Sequence, residues 1–317
     1  MCGIIAAASS RNVGKILVQG LHKMEYRGYD SAGIALHQEN SIAHLRAIGK
    51  VQLLEDMMIS EKPKSSLGIA HTRWATHGEP SEVNAHPHKS KDKVYIVHNG
   101  IIENYIELKE ALVKDGYEFS SQTDSELIAH LLDSYLEKGN SMIDAMYLTK
   151  EKLEGAYAIA AIDMDNNNSL VVARNKSPLL LGIGTDEMLA ASDPLAIGQL
   201  TNEFVFLEDG DVAEISAESY KIFNENKKEV EREISNIDIS SQATSKGVYK
   251  HFMEKEIYEQ PEAILNTLDG RVGGDDILDN IFGLGSCELF AKAKRIQIVA
   301  CGTSLHAGRV AANWLSS

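Results

Sequence analysis

Cysteine, basic residues and long apolar runs are all scarce in this sequence of 317 residues. The three cysteines, Cys2, Cys287 and Cys301, are too few and too unevenly spread for a disulfide framework. Lysine and arginine together number 31 against 46 acidic residues, which gives a net charge of −15. Nucleic acids and anionic membranes bind basic surfaces, so we expect neither as a partner.

No segment has the roughly 18 consecutive apolar residues of a membrane-spanning helix. The N-terminus carries no charged leader, and the apolar run at residues 4–8 is short, so we expect no signal peptide. With few cysteines as well, the sequence predicts a cytoplasmic protein. Hydrophobic residues make up 44% of the chain, which is enough for an ordinary globular core.

The first 235 residues alternate between strand and helix patterns. Apolar runs and helical spacing predict strands at 2–8, 32–36, 66–71 and 94–98, and helices at 13–26, 103–115, 124–137 and 141–153. From residue 156 onward, short apolar runs broken by Gly, Asn, Asp or Pro predict more strands. Strands, helices and again strands predict an α+β domain with two sheets and the helices outside them.

The composition changes after this first domain, which we place at residues 1–235. Residues 236–250 are polar and rich in serine, which indicates a linker. A charged amphipathic helix follows at 249–268, and Pro261 inside it predicts a kink or a break.

A second domain is predicted to begin in residues 251–317. Residues 296–300 are apolar and predict a strand, and Cys301-Gly302-Thr303-Ser304 and an apolar helical stretch come directly after it. One strand and one helix cannot enclose the core of a sheet. We therefore interpret this part as the start of a truncated α/β domain.

Cys2 gives the first indication of chemistry. Removal of the initiator methionine, which is usual before a small residue, would leave a thiol and a free α-amine on one residue. An α-amine has an ordinary pKa of about 7.7–8.0 and can accept the thiol proton near neutral pH. A nucleophile paired with its own N-terminal amine is an established arrangement. Taken alone, however, a cysteine at this position is more often a small core residue.

Six motifs occur in an order and spacing that resemble the class II, or N-terminal-nucleophile, glutamine amidotransferases. They are Met1-Cys2-Gly3-Ile4, Tyr26-Arg27-Gly28-Tyr29-Asp30-Ser31-Ala32-Gly33, His71-Thr72-Arg73-Trp74-Ala75-Thr76-His77-Gly78, Asn84-Ala85-His86-Pro87-His88, His98-Asn99-Gly100 and Thr123-Asp124-Ser125-Glu126. Two later segments, Lys255-Glu256-Ile257-Tyr258-Glu259-Gln260-Pro261 and Cys301-Gly302-Thr303-Ser304, resemble the members that aminate fructose-6-phosphate. The resemblance runs over essentially the whole chain and implies a four-layer αββα sandwich for residues 1–235.

The resemblance also assigns the catalytic residues. Cys2 would attack the side-chain amide of L-glutamine, and the Asn99 side chain and the Gly100 N–H would form the oxyanion hole. Such donors stabilise the tetrahedral intermediate, and removing one costs on the order of 10²–10³ in rate. Arg27 and Asp30 would support the surroundings of the nucleophile.

Substrate recognition follows from the same resemblance. Arg73 would bind the α-carboxylate of glutamine, which suits the forked geometry of a guanidinium. Asp124 would bind the α-ammonium group. Trp74 would line or gate the pocket, and Thr76 and His77 would lie near the substrate.

The resemblance implies no cofactor and no metal. In the full-length enzyme, ammonia would pass to fructose-6-phosphate and yield glucosamine-6-phosphate, and Cys301, Gly302, Thr303 and Ser304 would form part of the sugar-phosphate loop. The start of a helix suits a phosphate because its N–H groups are free to donate. The full-length enzyme would be a homodimer, whereas the fragment could be a monomer.

Other interpretations stay open for single residues. In isolation, Arg73 would be read as a surface ion-pair partner, Asp124 as an acid at a helix N-terminus, and Asn99-Gly100 as a hairpin turn. The histidines at 71, 77, 86, 88 and 98 suggest a metal site, although no His-x-x-x-His helix or cysteine pair accompanies them and Pro87 splits His86 from His88. Loop positions lining a glutamine pocket fit these histidines better.

Two rival functions also remain. Amidophosphoribosyltransferases and asparagine synthetases share the Cys2-Gly3-Ile4 start. The Tyr26-Arg27-Gly28-Tyr29-Asp30 motif and the Cys301-Gly302-Thr303-Ser304 loop favour the sugar aminotransferases instead. A non-enzymatic regulatory module with a buried, inert Cys2 is the second rival, and retention of Met1 would support it.

Overall fold

The chain forms two compact units, Met1–Ser245 and Lys246–Ser317, in the computed structural model. The structure describes residues 2–74, 78–238, 248–268, 272, 273, 276, 277 and 286–316. No helix within these ranges is long and apolar enough to cross a bilayer.

Two antiparallel sheets make up most of the first unit. The strands of the eight-stranded sheet are, in spatial order, β15 (Ile234–Asn236), β11 (Glu203–Phe206), β9 (Leu180–Gly184), β10 (Glu187–Ala191), β1 (Gly3–Ser9), β4 (Leu67–Arg73), β2 (Ser31–Gln38) and β3 (Ser41–Ile48). Those of the seven-stranded sheet are β14 (Glu229–Val230), β13 (Tyr220–Phe223), β12 (Val212–Ser216), β8 (Asn166–Asn175), β7 (Gly155–Asp163), β6 (Val94–Ile102) and β5 (His88–Ser90).

Helices cover the outer faces of both sheets. Those of the first unit are α1 (Gly14–Met24), α2 (Val51–Glu61), α3 (Tyr105–Lys114), α4 (Glu126–Leu136) and α5 (Met142–Lys150), with a 3₁₀ turn at Pro194–Ala196. The second unit contains the helices Phe252–Leu268, Ser286–Lys292 and Gly302–Leu315, and a short ladder between Val272–Gly273 and Asp276–Ile277.

Strand β1 shows how the layers are held together. It is buried on both faces, which explains its almost uniformly apolar sequence. Ile5 packs in the core beneath α1 and α2, whereas Ile4, one residue earlier, packs in the core between the two sheets. Full burial of one such side chain contributes roughly 1.5–3 kcal/mol.

A third apolar core lies between the seven-stranded sheet and α3, α4 and α5. Its members include Ile96 and Ile159 from the strands and Leu127 and Met146 from the helices. The order of layers is therefore helix, sheet, sheet, helix, and the predicted four-layer α+β sandwich is confirmed.

The structure differs from the sequence prediction at Asn99-Gly100. A turn was the better reading of this pair in isolation, but β6 continues through it to Ile102, and Gly100 pairs with Tyr157 of β7. Gly100 has a φ of +135°, and a Cβ there would meet the Ala156 carbonyl oxygen at 1.9 Å. The glycine therefore permits a close approach of two strands rather than a reversal of the chain.

In the second unit, the predicted strand at 296–300 is not formed. A strand needs a neighbour to accept and donate its backbone hydrogen bonds, and no described residue pairs with this segment. The helix predicted after it does form and begins at Gly302. Pro261 lies inside the helix Phe252–Leu268, so the chain stays helical on both sides of the proline.

Candidate active site

The Cys2 thiol lies where β1 and β4 meet. Gly3 pairs with Thr72, and this register brings the two residues just beyond the strands, Cys2 and Trp74, together. The backbone N–H of Trp74 donates to the Cys2 sulfur at 3.3 Å, and the thiol lies 3.6 Å from the Trp74 carbonyl oxygen. Burial raises the pKa of the Cys2 thiol, and the Trp74 N–H and the charge of Arg73 offset this only in part.

Asn99 reaches Cys2 from the other sheet. It is buried on β6, and its Nδ2 donates to the Cys2 carbonyl oxygen at 3.1 Å. Its Oδ1 lies 2.9 Å from Nε2 of His71, a buried residue of β4. Gly100 follows directly and lines the same pocket as the thiol.

Arg73 and Asp124 place opposite charges on the wall of this pocket. Arg73 ends β4, is nearly fully buried, and donates to the carbonyl oxygens of Glu79 at 3.4 Å and Gly78 at 3.2 Å. Asp124 is also buried, and its Oδ2 accepts a hydrogen bond from the N–H of Ile102 at 2.8 Å. A guanidinium and a carboxylate held this way can together bind the α-carboxylate and the α-ammonium of an amino acid.

One pocket therefore contains five of the predicted site residues, namely Cys2, Arg73, Trp74, Gly100 and Asp124. The residues that line it are Cys2, Arg73, Trp74, His86, His98, Gly100, Thr123, Asp124 and Ser125. Asn99 is joined to it through Cys2. Thr76 and His77 lie outside the described residues.

Trp74 forms the outer part of this site. Its side chain is 45% exposed and packs edge to face against Tyr29, with 5.3 Å between the ring centroids. Tyr29 is itself exposed and does not line the pocket, so this pair of rings lies at the surface beside the site. The position is compatible with the predicted lining or gating role.

Arg27 contacts the end of β10 rather than the pocket. Its Nη2 lies 3.1 Å from Asp193 Oδ2, and the Tyr26 hydroxyl donates to the same oxygen at 2.6 Å. Ser192, one residue earlier, exchanges hydrogen bonds with Ile4 of β1. Arg27 thus supports the segment that contacts β1.

Asp30 anchors the end of β4. Its backbone N–H donates to the Arg73 carbonyl oxygen at 3.2 Å, and its carbonyl oxygen accepts from Gly49. Its carboxylate accepts from the Ser31 hydroxyl at 3.0 Å. The charge of Asp30 also contributes to raising the pKa of the Cys2 thiol.

The histidines form a buried cluster. The interpretation of these histidines as loop positions is wrong for His71, His88 and His98, which lie on β4, β5 and β6. For His71 and His98 the predicted strands at 66–71 and 94–98 are confirmed instead. His86 stacks on His71 with 4.1 Å between centroids and contacts His88 at 4.5 Å, so Pro87 does not separate these rings. Burial lowers the pKa of all four, that of His71 to about 3.

The cluster is held by hydroxyl groups that the sequence analysis did not select. Thr123 Oγ1 lies 3.0 Å from His88 Nε2, and Ser125 Oγ lies 2.8 Å from His98 Nδ1. Thr123 and Ser125 flank Asp124 in one motif. Their place in that motif was the signal from which their role in the site could have been predicted. Within the described ranges, no group of three or more His, Cys, Asp or Glu side chains could hold a metal ion.

The predicted sugar-phosphate loop lies in the second unit. Cys301 precedes the helix Gly302–Leu315, and Gly302 has a φ of +58°. Cys301, Gly302, Thr303 and Ser304 are exposed.

Comparisons with known proteins show which families this chain is similar to. Residues 71–199 match the model of the glutamine amidotransferase domain. A glutamine–fructose-6-phosphate aminotransferase (isomerizing) of Vibrio parahaemolyticus is 48% identical over 315 residues, which cover 99% of this chain and 52% of the relative. The corresponding protein of Haemophilus ducreyi is 49% identical with the same coverage. The chain thus spans about half the length of the curated relatives it matches.

A solved structure supports the fold independently. Glutamine phosphoribosylpyrophosphate amidotransferase from B. subtilis, complexed with ADP and GMP, superposes with a TM-score of 0.61 at 24% identity. The match covers 70% of this chain and 49% of that one.

Proposed function

We propose that the chain carries a class II, N-terminal-nucleophile glutamine amidotransferase domain, and that this domain hydrolyses L-glutamine to glutamate and ammonia through a thioester on Cys2. The observation that supports this most is the convergence of a thiol, a guanidinium and a carboxylate on one pocket, at Cys2, Arg73 and Asp124. These are the groups needed to attack an amide while holding an α-carboxylate and an α-ammonium.

Substrate binding uses the two charged side chains. The Arg73 guanidinium pairs with the α-carboxylate of glutamine, and the Asp124 carboxylate pairs with the α-ammonium. The backbone bond from Ile102 holds Asp124 Oδ2 in place, which leaves the second carboxylate oxygen for the substrate. Simple amides lack both charges and bind weakly. Trp74 covers the bound substrate, and Thr76 and His77 lie near it.

The thiol of Cys2 needs a base. Its raised pKa leaves little thiolate near neutral pH, so a proton acceptor must act as sulfur attacks. Once Met1 is removed, the α-amine of Cys2 is adjacent and accepts that proton. Sulfur then bonds to the glutamine Cδ, and its carbonyl oxygen becomes an oxyanion.

Asn99 and Gly100 stabilise that oxyanion by donating from the side-chain amide and the backbone N–H. The α-ammonium of Cys2 returns its proton to the leaving nitrogen, the C–N bond breaks, and ammonia departs. A γ-glutamyl thioester remains on Cys2. Water, activated by the same amine, cleaves the C–S bond and releases glutamate.

In the longer protein, we propose that the ammonia aminates fructose-6-phosphate to glucosamine-6-phosphate. The proposal rests on the names of the relatives, of which this chain spans about half. Cys301, Gly302, Thr303 and Ser304 would contribute to the sugar-phosphate site, and the longer protein would be a homodimer. The 317-residue chain alone would hydrolyse glutamine without forming glucosamine-6-phosphate, because it spans only about half the length of the relatives named for that reaction.

The deciding experiment measures glutamate release from glutamine by the purified chain, with intact mass on the same sample and Cys2→Ala as the control. Release by the Met1-free chain that is lost in Cys2→Ala supports the proposal. If a chain that has lost Met1 releases no glutamate, labelling with a glutamine-like electrophile is the next test. Labelling at Cys2 would indicate a reactive thiol whose hydrolysis of glutamine does not proceed unless the fructose-6-phosphate site is present. Absence of labelling would favour an inert, regulatory module.

A further inference from the structure

The orientation of the Asn99 amide decides whether it can serve in an oxyanion hole. An amide side chain can be turned over by half a rotation, which exchanges its donor nitrogen and acceptor oxygen. With nitrogen toward the reacting carbonyl, the group donates to a developing negative charge. With oxygen there, it would repel that charge. Something near Asn99 must therefore distinguish its two ends.

We propose that His71 is the positioning residue that fixes the Asn99 amide with its nitrogen toward the nucleophile. This inference rests on the proposed hydrolysis of glutamine. His71 Nε2 lies 2.9 Å from Asn99 Oδ1, and Asn99 Nδ2 lies 3.1 Å from the carbonyl oxygen of Cys2. The two ends of the amide thus contact different partners.

A second contact shows which ring nitrogen of His71 carries the proton. Nε2 also lies 3.1 Å from the backbone carbonyl oxygen of His98. A backbone carbonyl only accepts hydrogen bonds, so Nε2 must carry the proton in either orientation of Asn99. The amide atom of Asn99 that lies 2.9 Å from this N–H must then be an acceptor, namely Oδ1, because an NH₂ group there would face another donor. If the amide were rotated by half a turn, its NH₂ group would face the N–H of His71, and its oxygen would face the carbonyl oxygen of Cys2. Two donors would then meet at His71 and two acceptors at Cys2.

The surrounding structure holds the His71 imidazole in this orientation. His71 is fully buried, and its strand pairs with β1 on one side, at Ile4, and with β2 on the other, at Gly33. Its ring stacks on His86, with 24° between the planes. Among the described residues, Nδ1 has no hydrogen-bond partner, so nothing competes for the proton on Nε2. Burial also keeps the ring neutral, because it lowers the pKa of His71 to about 3.

The test is a double-mutant cycle on the Met1-free chain. His71→Phe keeps a buried ring for stacking but removes the donor, whereas His71→Gln keeps an N–H donor. Each is measured alone and with Asn99→Ala, by kcat and KM for glutamate release. His37→Phe is the matched control, because His37 is a buried histidine of the neighbouring strand β2 whose Nε2 bonds the Met164 carbonyl oxygen at 2.8 Å.

A positioning role predicts a specific pattern. His71→Phe lowers kcat by about 10–100-fold, approaching the loss in Asn99→Ala, with KM changed less than about threefold. The double mutant is no slower than Asn99→Ala alone within about threefold. His71→Gln recovers at least about fivefold over His71→Phe, and His37→Phe stays at wild-type kcat. Losses that multiply in the double mutant, or a wild-type kcat in His71→Phe, overturn the inference.

A nuclear magnetic resonance experiment tests the inference independently of turnover. The ¹⁵N spectrum of the His71 ring should show protonated Nε2 and bare Nδ1. The Asn99 side-chain NH₂ should give one set of signals in the wild type and broadened or doubled signals in His71→Phe. A ring protonated on Nδ1, or an Asn99 signal unchanged in His71→Phe, overturns the role of His71. Absence of both glutamate release and electrophile labelling at Cys2 in the wild type would instead count against the proposed function.

Discussion

The backbone N–H of Trp74 lies 3.3 Å from the sulfur of Cys2. This contact links the residue that follows β4 to the residue that precedes β1, so the pairing of two central strands sets the place of the thiol. Arg73, the last residue of β4, is carried to the same point. The pairing of β1 with β4 therefore sets the positions of both the Cys2 thiol and the Arg73 guanidinium.

The raised pKa of Cys2 predicts slow alkylation when Met1 is retained. Burial disfavours the thiolate, so at pH 8 iodoacetamide should modify Cys2 more slowly than the exposed Cys301 of the same chain. Removing Met1 places a base next to the thiol and should accelerate the reaction between pH 7 and 8. Peptide mass mapping over pH 7–10 measures both rates. Equal rates at Cys2 and Cys301 with Met1 in place would contradict the prediction.

Asp124→Asn should weaken glutamine binding. Its amide oxygen can still accept the hydrogen bond from Ile102, so the loop is retained while the charge is lost. Losing a buried charge partner costs about 2 kcal/mol or more, so KM for glutamine should rise at least about 30-fold with a smaller change in kcat.

Asp133→Asn provides the control for that measurement. Asp133 is as deeply buried but contacts Ser90 and Lys91 and does not line the pocket. Steady-state glutaminase kinetics on both variants decide the matter. A similar rise in KM for Asp133→Asn would mean that carboxylate loss acts through folding rather than through substrate binding.

Gly100→Ala should damage both the fold and the site. The new methyl group would meet the Ala156 carbonyl oxygen at 1.9 Å, at a φ of +135°. Overpacking and backbone strain together should lower the free energy of unfolding by at least about 2 kcal/mol. Gly139→Ala isolates the strain, because Gly139 has a φ of +85° with open space around it, and should cost only about 1 kcal/mol. Urea unfolding of both variants checks the difference, and equal losses would refute it.

The buried histidines predict a loss of stability in acid. Their folded-state pKa values are below the ordinary value of about 6.5, with His71 at about 3 and His44 at about 4. Below pH 6.5 the unfolded chain binds protons that the folded chain does not. Stability is therefore complete above pH 6.5 and falls as the pH drops toward 4, by up to about 1.4 kcal/mol per pH unit for each such histidine.

Urea midpoints at pH 7.5, 6.5 and 5.5 measure this dependence. His44→Gln should make it shallower, because glutamine does not titrate but can still donate to the Pro87 carbonyl oxygen that His44 contacts. A midpoint that is constant or rises on acidification would contradict the assignment of neutral, buried imidazoles.

Sequence patterns predicted much of the layered fold because its central strands are buried on both faces and its helices are amphipathic. Strand β3 and helix α2 were missed. Most of β3 is at least partly exposed at a sheet edge, and α2 buries only Val51 and Leu54, so neither has a strong apolar period. The strand predicted at 296–300 is not formed although its sequence has a clear apolar pattern. No described residue pairs with it, and a strand needs a partner for its backbone hydrogen bonds.

The sequence predicted which residues belong to the candidate site, but not the hydrogen bonds between them. The motifs placed Cys2, Arg73 and Asp124 in one family pattern, and the structure brings them to one pocket. The link from His71 to Asn99 joins two different sheets across 28 positions of sequence, and no local pattern encodes such a contact. Their individual roles stay predictions until the variants are measured.

The burial of β1 on both faces has a consequence for how activity would be lost. Residues Ile5 to Ala8 are paired to β10 on one side and to β4 on the other, so their amide hydrogens should exchange with solvent only when the whole unit opens. Cys2 directly precedes β1, so it cannot be displaced far unless this strand moves as well. Heat inactivation and global unfolding should therefore coincide, with no inactive species that retains both sheets.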